Sequence, residues 1–291
     1  MAVMGVDQLR ARIGGAIFER VAGPDRTERR AAIGGPGERL FADDRPIRMV
    51  QGDSAMFAGG IAALLLQSLH PLAMAAVAAH SGYQGDPWGR LQRTSYFLAV
   101  TAFGPAAEAE AAIDRVRSIH QRVAGVAPDG RPYAASDPDL LTWVHVAEAD
   151  CFLRAYAAFG ARPLTQAERD GYVADMAVIG ARLGVPDPPV TQAGLSAAIA
   201  RFRPELRGTP QSREAARFLL LRPPLPAVAR PPYAILAAAA VSVLPGWARR
   251  HLMLPRLPLT EAALVRPAGH AMVKAIRWVT AAPRPATPAG P

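Results

Sequence analysis

Two short stretches of the chain carry side chains at spacings that could hold an anionic group. Arg90, Arg93 and Thr94 lie three and four residues apart in GRLQRTSYF, so one helix face would present two guanidinium groups and a hydroxyl. Arg117 and His120 lie three apart in RVRSIHQRV, again on one face. Arginines beside an imidazole repel a bare metal dication. They suit an anionic cofactor that takes one axial imidazole.

Haem b combines an iron that accepts a histidine nitrogen with two propionates that pair with arginine. The two helix faces are therefore compatible with haem b, with an imidazole for the iron and arginines for the propionates. A simpler interpretation stays open. The arginines could be solvated on a helix surface, and His120 could be a partly buried helix residue.

The other histidines have competing interpretations. His70 precedes a proline in the apolar stretch LLLQSLHPLAMAAVAAHSG, and it is expected either to bond a helix-end group or to face the distal side of a cofactor pocket. His80 stands where it could act as a cation at a helix C-terminus. His145, on the apolar face of LLTWVHVAEADCFL, is expected to be a hydrogen-bonded core residue and is the fallback axial ligand. No role is predicted for His251 and His270.

Helical patterns dominate, and they predict an all-α fold, a multi-helix single domain. Four helices have clear limits in the sequence: Pro87 to Gly104, Pro105 to Gly125, Asp137 (N-cap) to Gly160, and Thr165, with a Thr165/Glu168 capping box, to Gly184. We predict an N-terminal arm over 1–40, the main domain over 41–225, a helical extension over 226–280 that packs on it, and a disordered tail over 281–291.

Two apolar stretches raise the question of a membrane. The run from Gly59 to Ala79 is long enough to span a bilayer, but Gln67, His70 and Pro71 interrupt it, which favours two buried helices that meet near His70. The run from Tyr233 to Leu244 is too short to span and is either a buried helix or a monotopic contact.

Charge and composition limit the classes of partner that the chain is expected to bind. Residues 200–291 carry 14 Arg and Lys against three acids, whereas the whole chain has a net charge of +9. This basic third predicts a peripheral contact with a membrane leaflet. Nucleic acid is not expected, because its arginines stand singly among prolines and aliphatics without a reading motif. A single cysteine, Cys151, and an N-terminus without a signal-like core indicate the cytoplasm.

A series of motifs adds a family resemblance. LLLQSLHPLAMAAVAAHS, DPWGRLQRT, RVRSIHQRVAG, YAASDPDLLTWVHV and YAAFGARPLTQAERDGYVADMAVIGARLGVP occur in this order. Together they resemble the catalytic domain of the MpaB-type oxygenases, the family that includes the latex-clearing proteins or rubber oxygenases. The likeness covers about residues 45–225 and continues more weakly to LPGWARRHLMLP.

The resemblance implies a globin-like helical core, haem b and dioxygen chemistry on an apolar, alkenyl or prenyl substrate. It makes His120 the proximal ligand, Arg90 and Thr94 the family's arginine–threonine pair near the haem, and Arg117 a partner for a propionate. His70 stays a candidate for the distal side, and Arg93 could hydrogen-bond bound oxygen or a propionate. The latex-clearing branch has a lysine where this chain has Arg93, and arginine cannot donate a lone pair to iron. The resemblance therefore does not carry over rubber as the substrate.

Two alternatives remain. His70, His80 and His145, with a carboxylate such as Asp150 or Glu148, could form a non-haem iron site. The chain could also be a non-enzymatic, peripheral protein that binds an apolar ligand or a membrane surface.

Overall fold

A computed structural model of the protein has the predicted all-α fold. The structure describes residues 25–82 and 85–281, together with residues 8, 10, 12, 14–16, 19 and 23. The helices are α1 Arg26–Gly34, α2 Pro46–Gly52, α3 Met56–Gln67, α4 Pro71–His80, α5 Pro87–Phe103, α6 Ala106–His120, α7 Pro138–Phe159, α8 Gln166–Leu183, α9 Gln192–Phe202, α10 Pro210–Leu221, α11 Arg230–Val243, α12 Gly246–His251, α13 Pro258–Thr260 and α14 Arg266–Thr280. Most of the N-terminal arm predicted over 1–40 and nearly all of the predicted tail lie outside the described residues.

The core forms around α3 and α7, which pack along each other. Both helices are apolar on most sides, and Leu65, Leu66 and Trp143 have no exposed surface. The close approach depends on Gly59, because a Cβ there would lie 2.7 Å from Cδ1 of Phe152. The remaining helices surround this pair.

The apolar stretch around His70 folds as two helices, as predicted. α3 ends at Gln67 and α4 begins at Pro71, where the proline needs no hydrogen-bond donor. No single helix in the described part of the chain is long and apolar enough to cross a bilayer. In the same described residues, one pair of helices joined by a short break is long and apolar enough when the two are taken together. These are α2 and α3, which are bent by 92° relative to each other.

Three of the four predicted helices have the expected limits. Asp137 caps α7 through the backbone N–H groups of Asp139 and Leu140. Thr165 and Glu168 form the predicted capping box of α8, and Gly184 ends that helix in the left-handed conformation, with φ of 101°. These signals are local, so they could be read from the sequence.

The predicted end of α6 at Gly125 is wrong. The helix stops at His120, and the next residues form the strand β1, Ala124–Val126, which pairs antiparallel with β2, Pro132–Ala134. Gly125 faces Tyr133 across this hairpin, and a Cβ there would lie 2.6 Å from the Tyr133 hydroxyl. Pairing between the strands therefore takes the segment out of the helix.

The C-terminal helices pack on the core. α11 contacts α3, α7 and α14, and it buries Leu236, Ala237, Ala239 and Ala240. Tyr233–Leu244 thus lies mostly within a helix that buries one face against the core, in agreement with the buried-helix interpretation. α14 is tied to the core by Arg277, which donates to both carboxylate oxygens of Asp53 and to the carbonyl of Phe159.

Candidate active site

Four of the sequence-predicted residues lie at one end of the α5–α6 pair. The two helices pack against each other and are joined only by Gly104 and Pro105. At 1.5 Å per residue, Arg90 on α5 and His120 on α6 both lie about 21–23 Å along their helices from this connection. Thr94 and Arg117 lie about one helical turn nearer to this connection. The sequence thus places both motifs near the same end of the pair.

Hydrogen bonds tie neighbouring elements to this end. Arg90 donates from Nη1 to the Ser81 hydroxyl at 2.6 Å, which joins the start of α5 to the end of α4. His80 and Tyr133 are bonded through Nε2 and the hydroxyl at 3.1 Å, which joins α4 to the β-hairpin that follows His120. His80 is thus the last residue of α4, as expected, but its ring contacts Tyr133. Neither the Ser81 nor the Tyr133 contact had a signal in the sequence.

His120 is the histidine at this end whose environment suits metal ligation. Its ring is partly buried, and Nδ1 is buried without a hydrogen-bond partner among the described residues. Burial lowers the pKa of His120, so the imidazole is neutral at pH 7. The neutral form is the one that donates a lone pair to a metal ion.

Two arginines of the predicted motifs, Arg93 and Arg117, form only weak ion pairs. Arg93 contacts Asp86 at 3.3 Å, and Arg117 contacts Asp114 at 3.7 Å, with both guanidinium groups more than half exposed. Exposed pairs of this kind contribute little to stability. Both guanidinium groups can therefore exchange their carboxylates for those of a bound ligand.

His70 lies in the core. Its Nδ1 accepts from the backbone N–H of Ala73, so the ring caps α4, and its Nε2 lies 3.5 Å from a carboxylate oxygen of Glu205. The ring packs between Trp143 and Phe202, and burial lowers its pKa. With both nitrogens engaged, this placement supports the packing interpretation of His70 over the distal one.

A second group of polar side chains lies inside the bundle, between α2, α7 and α8. His145 is 8% exposed, its Nε2 has no partner among the described residues, and burial lowers its pKa to about 4. Glu148 follows one turn later, and burial raises its pKa to about 7. The His145 ring is therefore neutral at pH 7, whereas the Glu148 carboxyl is close to the midpoint of its titration.

Two members of this polar group carry no motif and were missed by sequence analysis. The hydroxyl of Tyr172 and Oε1 of Gln51 are buried and lack partners within the described residues, while Nε2 of Gln51 donates to Sδ of Met176 at 3.2 Å. A buried polar atom without a partner costs about 1–3 kcal/mol, and such atoms gather at functional sites. Their burial depends on the packing of three helices, so no pattern in the sequence pointed to them.

Gly180 makes room for His145. A Cβ at Gly180 would lie 2.7 Å from Cε1 of the His145 ring, so we expect Gly180→Ala to displace the ring and to lower the free energy of unfolding by about 1–3 kcal/mol. Gly60→Ala is the matched control, because its Cβ would lie 3.9 Å from Phe152 in another helix. Urea unfolding should show no loss for the control, since alanine favours the helix. Equal effects of the two substitutions would contradict the contact.

The non-haem alternative finds no support in this geometry. His70, His80 and His145 lie in three different environments, and Asp150 is paired with Arg154 at 2.6 Å. Across residues 25–82 and 85–281, no three side chains of histidine, cysteine, aspartate or glutamate converge as a metal site would require.

Comparison with known proteins adds the decisive observation. A family model described as "ER-bound oxygenase mpaB/B'/Rubber oxygenase, catalytic domain" matches residues 48–278. The chain belongs to this family. Searches of curated proteins and of solved structures found no match to this chain.

Membership in the mpaB/rubber oxygenase family confirms the resemblance seen in the five motifs. The chain is an oxygenase catalytic domain and, by class, an oxidoreductase. The match extends past residue 225 through α11 and α14 to residue 278, so it includes the helices that pack on the core from the C-terminal side.

Proposed function

We propose that this protein is a haem b-dependent oxygenase that acts with dioxygen on an apolar, alkenyl or prenyl, substrate. The observation that carries the proposal is the neutral imidazole of His120. Its buried Nδ1 lacks a partner among the described residues, and it lies at the same end of the α5–α6 pair as Arg90, Thr94 and Arg117. Family membership supplies the oxygenase class.

The donor set fits haem b. His120 would supply the imidazole that holds the iron, since its buried Nδ1 has no other partner among the described residues. Arg90 and Arg117 would pair with the propionates, with Thr94 as an additional hydroxyl donor. Haem, when bound, supplies the iron that binds and activates dioxygen. His145 is the fallback ligand, and its low pKa keeps that ring neutral as well.

Arg93 has a different role from the lysine of the latex-clearing branch. A guanidinium remains protonated and has no lone pair for iron, so Arg93 can only donate hydrogen bonds. It lies one turn from Arg90 on α5 and is more than half exposed. We expect it to hold an anionic group at the site entrance.

The apolar helices hold the substrate and exclude water. α4 contacts the β-hairpin that follows His120, and its residues Ala73, Met74 and Ala75 are apolar and buried. A low-polarity wall of this kind suits a hydrocarbon chain and strengthens each hydrogen bond made inside the site.

Absorption spectroscopy of the purified protein tests the proposal. After expression with a haem precursor, the protein should show a Soret band, and His120→Ala should lower the haem retained by about tenfold or more, because iron loses its protein ligand. His120→Gly with added imidazole should recover the band. A recovered spectrum would separate a lost ligand from a lost fold.

Two controls sharpen this test. His251→Ala removes an imidazole from α12 and should leave the Soret band unchanged, while His145→Ala tests the fallback ligand directly. Wild-type protein without a Soret band, or His120→Ala with an unchanged one, would overturn the proposal.

A further inference from the structure

The segment between α12 and α14 exposes an unusual amount of apolar surface. Met253, Leu257, Leu259 and Leu264 are 72%, 54%, 85% and 65% exposed. Single exposed leucines are ordinary on protein surfaces, but a cluster within one short segment marks a contact surface. We refer to residues 253–265 as the apolar shoulder.

The shoulder is held in place by a buried arginine. Arg249 is 5% exposed and donates to the carbonyls of Ser242 and Leu244 and, at 2.5 Å, to the carboxylate of Glu261. Glu261 in turn accepts from the backbone N–H of Leu257 at 3.0 Å. The apolar side chains are therefore presented from an ordered base.

A cationic cavity of about 340 Å³ adjoins the shoulder. Its lining includes Arg249, Arg256, Arg266 and Glu261. Arg249 neutralises Glu261, which Arg256 also attracts, whereas no hydrogen bond or close ion pair joins Arg256 or Arg266 to another described residue. The cavity thus carries two guanidinium groups available to an anion beside exposed leucines.

We propose that the shoulder and the cavity form a docking site for an anionic phospholipid bilayer. Arg256 and Arg266 would hold a headgroup phosphate, and Leu257, Leu259 and Leu264 would enter the acyl boundary below it. The charge distribution favours this occupant, since residues 200–291 are strongly basic whereas the rest of the chain is slightly acidic. A nucleic acid would use the arginines but would leave the leucines in water.

This inference is independent of haem binding. It rests on surface residues of the C-terminal third, far in sequence from His120, and it can be tested whether or not the protein holds a cofactor. For an enzyme with an apolar substrate, docking of this kind would place the protein where that substrate accumulates.

Vesicle flotation of the full chain tests the site. Wild-type protein should float with phosphatidylcholine vesicles that contain phosphatidylglycerol and remain unbound with phosphatidylcholine alone. Arg256→Gln/Arg266→Gln should weaken the partition about thirtyfold, because each arginine contributes about a factor of five near an anionic surface. Leu259→Ser/Leu264→Ser should weaken it about tenfold or more. The leucines are exposed, so their loss should not affect folding.

Matched controls distinguish the site from general charge and hydrophobicity. Arg217→Gln/Arg222→Gln removes two exposed arginines from the same basic third, and Val126→Ser/Val190→Ser removes two exposed aliphatics elsewhere. Both control variants should float like the wild type. Equal losses for Arg217→Gln/Arg222→Gln and Arg256→Gln/Arg266→Gln would overturn the proposal.

A further measurement distinguishes lipid docking from a site that binds only a soluble anion. Inorganic phosphate at constant ionic strength should leave flotation largely intact, since the leucines contribute to lipid binding. If phosphate abolished flotation and Leu259→Ser/Leu264→Ser still bound vesicles normally, the cavity would be a site for a soluble anion and the docking proposal would be wrong.

Discussion

Asp53→Ala should lower the free energy of unfolding by about 2–4 kcal/mol, because it removes a buried acceptor from a partly buried arginine and from two backbone N–H groups. The Asp53 carboxylate accepts from Nη2 of Arg277 at 2.8 and 2.9 Å and from the backbone N–H groups of Ala55 and Ala161. Alanine would leave these donors without an acceptor. Urea denaturation at pH 7 measures the change.

An exposed aspartate provides the comparison. Asp43 pairs with Arg48 at 2.7 Å but is 91% exposed, so Asp43→Ala should cost less than about 1 kcal/mol. Arg277→Ala should be strongly destabilising as well, and the double variant should lose less than the sum of the two single changes. Additive losses would mean that the two side chains do not act as a pair.

Glu148→Gln should remove a loss of stability that the wild type suffers between pH 5 and pH 8. Burial raises the pKa of Glu148 from an ordinary 4.5 to about 7. Below pH 4.5 both the folded and the unfolded chain carry the proton. Between pH 4.5 and 7 the unfolded chain releases this proton while the folded chain keeps it, so the stability falls until the folded carboxyl also ionises near pH 7. We expect about 2–3 kcal/mol over this range, measured by urea unfolding.

His145 should behave in the opposite direction. Its pKa is lowered from 6.5 to about 4, so the stability associated with its neutral ring is present above pH 6.5 and is lost as the pH falls towards 4. His145→Gln should reduce the loss of unfolding free energy between pH 6.5 and 4. Glu148→Gln should reduce the loss between pH 5 and 8. Glu108→Gln, on an exposed face of α6, should leave the pH dependence of the free energy of unfolding unchanged in both ranges. If Glu148→Gln showed the same pH dependence as the wild type, Glu148 would not be the group that titrates.

Local signals in the sequence predicted much of the fold. The caps at Asp137 and Thr165, the stop at Gly184 and the break at Pro71 each depend on residues within four positions of one another, so their physics is visible in the sequence. The same holds for the spacing that brings Arg90 and Thr94, and Arg117 and His120, onto common helix faces.

Contacts between distant parts of the chain could not be predicted. α6 ends at His120 because its following residues pair with β2, and no local pattern revealed that pairing. The fit of the His145 ring against Gly180, and the unpaired Tyr172 hydroxyl, depend on how α7 packs on α8. The exposed shoulder became visible only once the surrounding leucines were known to be buried.

The pairing of Asp53 with Arg277 also bears on how the chain folds as it is synthesised. Domains fold from the N-terminus during translation, at about 5–20 residues per second. Asp53 closes the turn into α3 at the start of the core, yet its guanidinium partner lies 224 positions later. The core is therefore incompletely stabilised until α14, which carries Arg277, has emerged from the ribosome. Nascent chains arrested before residue 277 should be degraded more readily by proteases than chains arrested with α14 outside the tunnel.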